Sequence, residues 1–443
     1  MNGGLTRVNE RKLYRFTNPG NGELFVQLVA PTGSTLRASL ELQSFPTAST
    51  TPVRNAFDSA GIPGAISNMS FVAAAGKDYY VIVDGLGAST GNFTLNINTI
   101  PGNDVSSNKL YFPEGFASAN TSEFISIVNP GDALVRYSVR LNYENPSIPD
   151  VLIADRFMLP RARDGVTIKD GSSYITPGLA LNEPYAMIIE SDGPLGATLA
   201  HYDFGTSIGD SFTEKVSKSW TFAQAERREG KNLDFITFYN PSNVNIETTL
   251  TMYQNGRDPV VVRNFYFAES RGGFDLNNSI TDYISGQVVQ PPTGDYSIVL
   301  TAKAVNPAQE AQFEGIVASM SHYNTAEGTG YAVLGDADGG GTKGVVTNLI
   351  RSTRRSSQVT FFNSSTSPAT VSITGSYIQS ALPSFTRSIQ VPARGQYILT
   401  GTELNLAIGQ TVGLTYTSNR AVSATSSITQ NGDADGVLAA DVA

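Results

Sequence analysis

The 443-residue sequence predicts an all-β protein of four tandem antiparallel β-sandwich domains. Three observations carry that expectation. Apolar and polar residues alternate at period two in segment after segment, and helical stripes are scarce. Gly, Ser, Thr, Asn and Pro punctuate those segments as turn residues do. One strand–turn–strand phrase also recurs at roughly 100–125 residues, a period of whole sandwich domains rather than of solenoid units.

Residues 1–104 form the first predicted domain. "ELFVQLVAP" and "DYYVIVDG" read as strands, and so does "GNFTLNINTI", where Phe93, Leu95 and Ile97 alternate against Thr94, Asn96 and Asn98. Between them, "PTASTTPVRNAFDSAGIPGAIS" reads as a loop-rich stretch.

The repeated phrase opens the second domain, 105–216. Phe124 to Val128 is apolar on both faces and reads as an inner strand. In "VRYSVRLNY", Val135, Tyr137, Val139, Leu141 and Tyr143 alternate with Arg136, Ser138, Arg140 and Asn142, which puts one face in a core and one in water. "NPGD" between them is turn chemistry, so the two strands are expected to pair antiparallel. The third domain, 217–344, repeats this in "FITFYNPSNVNIETTLTMY", with Ile246, Thr248, Leu250 and Met252 on one face and Glu247, Thr249 and Thr251 on the other. The fourth, 345–443, carries "VTFFNSSTSPATVSITGSY", whose inward set is Ala369, Val371, Ile373, Gly375 and Tyr377. Asn129, Asn240 and Asn363 fall at one equivalent position, where a turn entry favours side-chain bonding to the backbone.

Two resemblances follow. "LYRFTNPGNGELFVQLVAP" with "FVAAAGKDYYVIVDGLGASTGNFTLNI", roughly residues 5–98, resembles the bacterial pre-peptidase C-terminal domain. Tyr14 and Phe16 match its first strand, Gly76, Tyr79, Tyr80, Val81 and Val83 its middle, and Phe93, Leu95 and Ile97 its end. That resemblance implies a jelly-roll-like accessory module of secreted bacterial proteins and no activity. "LYFPEG…FISIVNP" and "WTFAQAE…FITFYNP" resemble the openings of tandem Ig-like β-sandwich repeats in large bacterial surface proteins. The expected fold is therefore a jelly-roll-like first domain followed by three Ig-like repeats.

Charged residues make up 16% of the chain, with a formal net charge of -9, which argues against nucleic acid and against anionic lipid as partners. No apolar run approaches the ~20 residues of a membrane-spanning helix. Cysteine is absent, which removes disulfides, zinc–thiolate sites and thiol nucleophiles together. The opening "MNGGLTRVNERKLYRF" has no apolar core like that of a signal peptide, and the chain is read as a mature or excised form of an exported protein.

Candidate chemistry is sparse. The two histidines, His201 and His322, each precede Tyr at one repeat position, with Ser427 as the expected third counterpart. Repeat logic separates them by a domain, so both are read as scaffold. "GTSIG", Gly205 to Gly209, matches the G-x-S-x-G nucleophile pattern, but a polar stretch follows where a helix is needed. "GDADG" occurs twice, which makes Asp336, Asp338, Asn431, Asp433 and Asp435 candidate calcium-binding turns. The ordinary reading is an Asp/Gly turn, since Asp bonds its own backbone there. "GGGTKG" lacks phosphate-loop order and reads as a link. Trp220, the one Trp, is read as core.

No catalytic set emerges. The expected role is a non-catalytic extracellular structural protein, with no cofactor unless calcium. Its expected partners are other copies of itself, in a filament, sheath or surface layer, or an adhesin stalk. The alternative is an accessory glycan- or substrate-binding part of a secreted hydrolase, with cell-surface glycans as the partner.

Overall fold

In the computed structural model the described residues are 1–17, 22–31, 33–44, 53–59, 67–74, 76–100, 108–169, 176, 178–326, 328–352, 355–378, 381–430 and 438–442. Their regular structure is nearly all strand, as expected, with two short 3-10 turns at Leu86–Ala88 and Pro307–Gln312, and among them no helix is long and apolar enough to cross a membrane. The chain divides into two compact units, Met1–Ser106 and Ser107–Ala443.

The first unit holds β1 (Asn2–Leu5), β2 (Arg11–Thr17), β3 (Gly22–Val29), β4 (Ala38–Ser44), β5 (Val53–Ser59), β6 (Ser67–Ala73), β7 (Asp78–Gly85) and β8 (Gly91–Ile100). They form two four-stranded sheets, β1-β8-β3-β6 and β2-β7-β4-β5. Alternation builds the core: Tyr79, Val81 and Val83 from β7 and Leu40 and Leu42 from β4 meet Phe93 and Leu95 from β8. Each such side chain contributes roughly 1.5–3 kcal/mol on burial. Tyr14 meets Phe93 edge-on at 6.3 Å, and Phe16 stacks on Tyr79 at 5.7 Å. The stretch read as loop-rich contains β5, which pairs antiparallel with β4 across a register shift at Leu42/Gln43. Backbone pairing with a neighbour can recruit a segment whose own pattern is weak.

The second unit contains three sandwiches in series. The first repeat has β9 (Asn108–Phe112), β10 (Ser122–Val128), β11 (Val135–Tyr143), β12 (Val151–Met158), β13 (Arg163–Lys169), β14 (Tyr185–Ser191), β15 (Gly196–Asp203) and β16 (Thr206–Ile208). Sheet β13-β10-β15-β16 packs on sheet β12-β11-β14-β9. The second repeat has β17 (Ser219–Arg227), β18 (Asn232–Asn240), β19 (Ile246–Tyr253), β20 (Val260–Tyr266), β21 (Ser270–Asp275), β22 (Ile280–Thr281), β23 (Val288–Val289), β24 (Gly294–Ala304), β25 (Val317–Asn324), β26 (Thr329–Leu334) and β27 (Asp336–Ala337). Its layers are β20-β19-β24-β17-β27 and β21-β18-β25-β26, with β22 and β23 as a separate ribbon. Trp220 is in its core, with the indole N–H donating to the Ile316 carbonyl at 2.7 Å.

The third repeat has β28 (Gly341–Ile350), β29 (Arg355–Asn363), β30 (Ala369–Tyr377), β31 (Phe385–Val391), β32 (Gly395–Thr400), β33 (Thr411–Gln430) and β34 (Leu438–Val442). Here one long strand serves both layers. The first part of β33 pairs with β30, and its second part with β29. In the earlier repeats the corresponding segments are separate strands, β14/β15 and β24/β25.

One expectation is corrected. β10 and β11 do not pair with each other; they lie in opposite sheets of the sandwich, as do β18 and β19. The Asn-Pro turn carries the chain across the core rather than back along one sheet. A crossing chain leaves its ladder, so its carbonyls need other partners. Asn129 supplies them. Its amide donates to Ala133 at 2.8 Å and Leu159 at 3.0 Å, and its carbonyl oxygen accepts from Gly131 N–H at 2.9 Å. Asn240 does the same with Val244, Phe267 and Ser242. Asn363 repeats it with Ser367, Pro392 and Ser365. The run Phe124–Val128 also alternates: Ile125 and Ile127 are buried, while Phe124 and Val128 face outward.

The repeats meet through buried seams. Between the first and second, Arg271 donates from Nε to the Pro113 carbonyl at 3.0 Å and from Nη1 to the Glu144 carboxylate. Asp210 accepts from the Leu334 N–H at 2.9 Å, Asn142 donates to the Glu269 carbonyl at 3.0 Å, and Tyr323 and Ala332 join the core of the first repeat. A Cβ on Gly330 would stand 2.7 Å from the His322 carbonyl and 2.9 Å from Ile208, so the seam closes only over glycine. Between the second and third, Asn255 and the Gln396 backbone exchange two hydrogen bonds of 2.9 Å each. Ser297 donates to the Gln396 side chain at 2.9 Å, and Tyr253 packs on Phe362 at 5.4 Å.

Candidate functional site

The first-repeat site begins with a strand pairing that puts Glu123 of β10 directly across from His201 of β15. Both are buried, and His201 Nδ1 lies 2.6 Å from Glu123 Oε1. The other carboxylate oxygen accepts from the Tyr185 hydroxyl, which reaches over from the opposite sheet, and Oε1 also accepts from the Phe116 N–H at 3.1 Å. Burial works against charge on His201, but the Glu123 carboxylate overcomes it and raises the imidazole above its ordinary pKa. Burial together with the same carboxylate pushes the Tyr185 hydroxyl well up.

The second repeat copies the pair. Asp234 of β18 stands across from His322 of β25, with His322 Nδ1 2.6 Å from Asp234 Oδ1. Burial raises the Asp234 carboxyl, against the pull of His322. In the third repeat the register sets Ser357 opposite Ile428, so the counterpart of the histidines is Ile428 rather than Ser427. Ser427 instead donates to Gln224 of the second repeat at 3.4 Å. The acids went unread in the sequence. The available signal was an acid six residues before the repeat Asn, in an otherwise apolar strand: Glu123 before Asn129, and Asp234 before Asn240.

Beside His201, a cleft of about 420 Å³ opens between the first two repeats. Glu114, His201, Asp203, Phe204, Phe235, Arg271 and Tyr323 are among the residues that line it. Asp203 Oδ2 lies 4.0 Å from His201 Nε2. Glu114 is only 6% exposed, and its Oε2 has no hydrogen-bond partner; Arg271 Nη2 lies 3.7 Å away. A second, polar cavity of about 450 Å³ opens at the same seam, lined by Lys109, Arg140, Asp150 and Glu269 among others.

The G-x-S-x-G stretch forms no nucleophile elbow. Phe204 and Gly205 make the tight turn of the β15–β16 hairpin, and Ser207 is an exposed strand residue paired with Tyr202. Strand follows where an elbow needs a helix.

The first "GDADG" splits its two acids. Asp336 is half-buried and accepts from the Ser423 hydroxyl and, at 3.3 Å, from the Ala424 N–H of the third repeat. Burial raises its carboxyl to about 6. Asp338, at φ 61°, accepts from the Ser217 hydroxyl at 2.6 Å and lies 3.5 Å from Lys215 Nζ, contacts that lower its carboxyl. Asn431, Asp433 and Asp435 lie outside the described residues. Among the described residues, no group of three or more His, Asp or Glu side chains is gathered to hold a metal ion.

No family model matches the sequence, and no curated protein matches it. Among solved structures, one titled as the crystal structure of Thermotoga maritima 1070 aligns with 25% of this chain and 96% of its own at 18% identity and a TM-score of 0.21. A tetra-tandem repeat from the extending region of a large adhesion protein aligns over 94% of each chain at 12% identity and a TM-score of 0.11. The BSP domain of a biofilm-associated protein aligns over 98% of this chain and 95% of its own at 10% identity and a TM-score of 0.15. At such scores these likenesses carry no functional weight.

Proposed function

We propose that this chain is a non-catalytic structural protein of the cell exterior, whose sandwiches serve as stiff building blocks in an assembly of like copies or in an adhesive stalk. The observation that carries this reading is the pair of buried seams. Tandem domains meant to move independently meet across small, wet, polar contacts joined by linkers. Here a buried arginine, a glycine with no room for a Cβ and a reciprocal Asn255–Gln396 pair lock one sandwich to the next. A series of such joints transmits force and fixes spacing, which is the task of a structural subunit.

Two further features support it. Ser207 of the G-x-S-x-G stretch pairs with Tyr202 in a strand hairpin instead of standing on a strand-to-helix elbow, so the arrangement that would activate it as a nucleophile does not form there. The sheets also end in edge strands at equivalent places, β12 in the first repeat, β20 in the second and β31 in the third, with β20 covered at Arg263 by Asp282 and Tyr283. Unpaired strand edges are joints for another chain. Phe267 and Tyr283 stand exposed beside Phe265 near the β20 edge and would seal such a joint. Negative-stain images and light scattering over a concentration series test the reading. Growth into filaments, sheets or defined oligomers is expected; a monodisperse monomer throughout would contradict it.

A further inference from the structure

We infer that the cleft between the first two repeats binds a cationic group on an apolar stem, the chemistry of an alkylammonium such as a lysine side chain. Its rim carries a strained display residue. Phe204 and Gly205 are the two turn residues between Asp203 and Thr206, with φ of 49° and 78°. Two positive φ values in a two-residue hairpin define a turn normally written Asn-Gly or Asp-Gly. A phenylalanine there costs roughly 1–2 kcal/mol of left-handed backbone strain. The residue is nevertheless 49% exposed, its ring leaning edge-on against Tyr323 at 5.0 Å. Strain held at an exposed aromatic points to use rather than packing.

The floor supplies the second, independent observation. Glu114 lines the cleft, and its buried Oε2 accepts no hydrogen bond, with Arg271 Nη2 as its ion-pair neighbour at 3.7 Å. A buried carboxylate oxygen without a donor is costly, and a ligand donor would relieve it. Charge fixes the sign of the donor. Glu114, Glu144, Asp203 and Asp275 line the cleft against Arg271 and His201, and His201 is already matched by Glu123 behind the wall. The surplus is negative. An ammonium reaching Glu114 would lay its methylene stem along Phe235 and pass the face of Phe204, where aromatic rings attract cations by about 0.5–2 kcal/mol.

The test is titration calorimetry of the whole chain with three probes. Nα-acetyl-lysine methylamide represents a protein side chain, 1,5-diaminopentane a free polyamine, and methyl glucoside a neutral sugar. Saturable binding of an amine is expected, with the capped lysine stronger if the source is a protein and the diamine stronger if it is a small polyamine. Phe204→Gly should weaken binding at least about fivefold. Its melting point should hold or rise, because glycine accepts the turn. Glu114→Gln should weaken binding about tenfold, with the fold intact by circular dichroism. No saturable heat with either amine, glucoside binding in their place, or amine affinity unchanged in both variants would overturn the assignment.

Discussion

Asn240 Nδ2 lies 2.8 Å from the Val244 carbonyl and 3.0 Å from the Phe267 carbonyl, bonding two chain segments that no strand ladder serves. Asn129 and Asn363 hold the same post in their repeats. Replacing such a residue by Ala leaves buried carbonyls without donors. Asn240→Ala is expected to cost about 2–4 kcal/mol. Urea denaturation reads this as a lower midpoint at an unchanged slope. Asn240→Asp, which keeps the shape but loses the donor, should fare no better.

His201 and Glu123 give a pH signature. The folded pKa of His201 is raised above its ordinary value of 6.5. A histidine raised on folding adds stability that is full below the unfolded pKa and fades as pH rises through the folded one. Stability of the first repeat should therefore decline as pH climbs above about 6.5. Glu123→Gln should remove that slope and cost roughly 3–5 kcal/mol at pH 6, since it strands a buried partner. Chemical denaturation at pH 6 and pH 8.5 compares the two proteins directly.

Asp336 runs the other way in cause but alike in sign. Its carboxyl is raised by burial to about 6 from 3.8. An acid whose folded pKa exceeds its unfolded one favours the folded state most at low pH, and that advantage is lost as pH rises through about 6. At pH 8 the half-buried charge is a burden on the seam to the third repeat, and its neighbours Ser423, Ala424 and Lys215 offset only part of it. Asp336→Asn should thus raise the melting temperature at pH 8 and give no gain at pH 4. A loss at pH 8 as large as at pH 4 would mean that the carboxylate stabilises the seam.

Gly330 tests the seam between the first two repeats. Gly330→Val would drive a side chain into the His322 carbonyl and Ile208. The expected result is a loss of about 2–4 kcal/mol and new protease cleavage near residues 204–216, with the third repeat still protected.

The strands were legible wherever one face is dry and the other wet, as in Val135–Tyr143 and Ile246–Tyr253, because period two reports burial directly. Alternation says which way a residue faces but not which strand lies beside it. That is why β10 and β11 read as a hairpin although they sit in opposite sheets. The role of Asn129 was legible in kind, as side-chain bonding to backbone, because few residues carry both a donor and an acceptor on so short an arm. The site was not. Glu123 and Asp234 sit in apolar strands, where an acid has meaning only once its histidine is known to be the cross-strand neighbour. Phe204 was invisible for a different reason: its turn violates the residue preference by which such turns are found.

The absence of cysteine opens a clean measurement of whether the three sandwiches of residues 107–443 are locked in series. Thr167→Cys on β13 and Ser388→Cys on β31 place spin labels on exposed strand positions of the first and third repeats. Electron–electron double resonance should return one narrow distance distribution, unchanged between low and high salt. A broad distribution would mean that the seams hinge and that the repeats are separate beads rather than one stiff block.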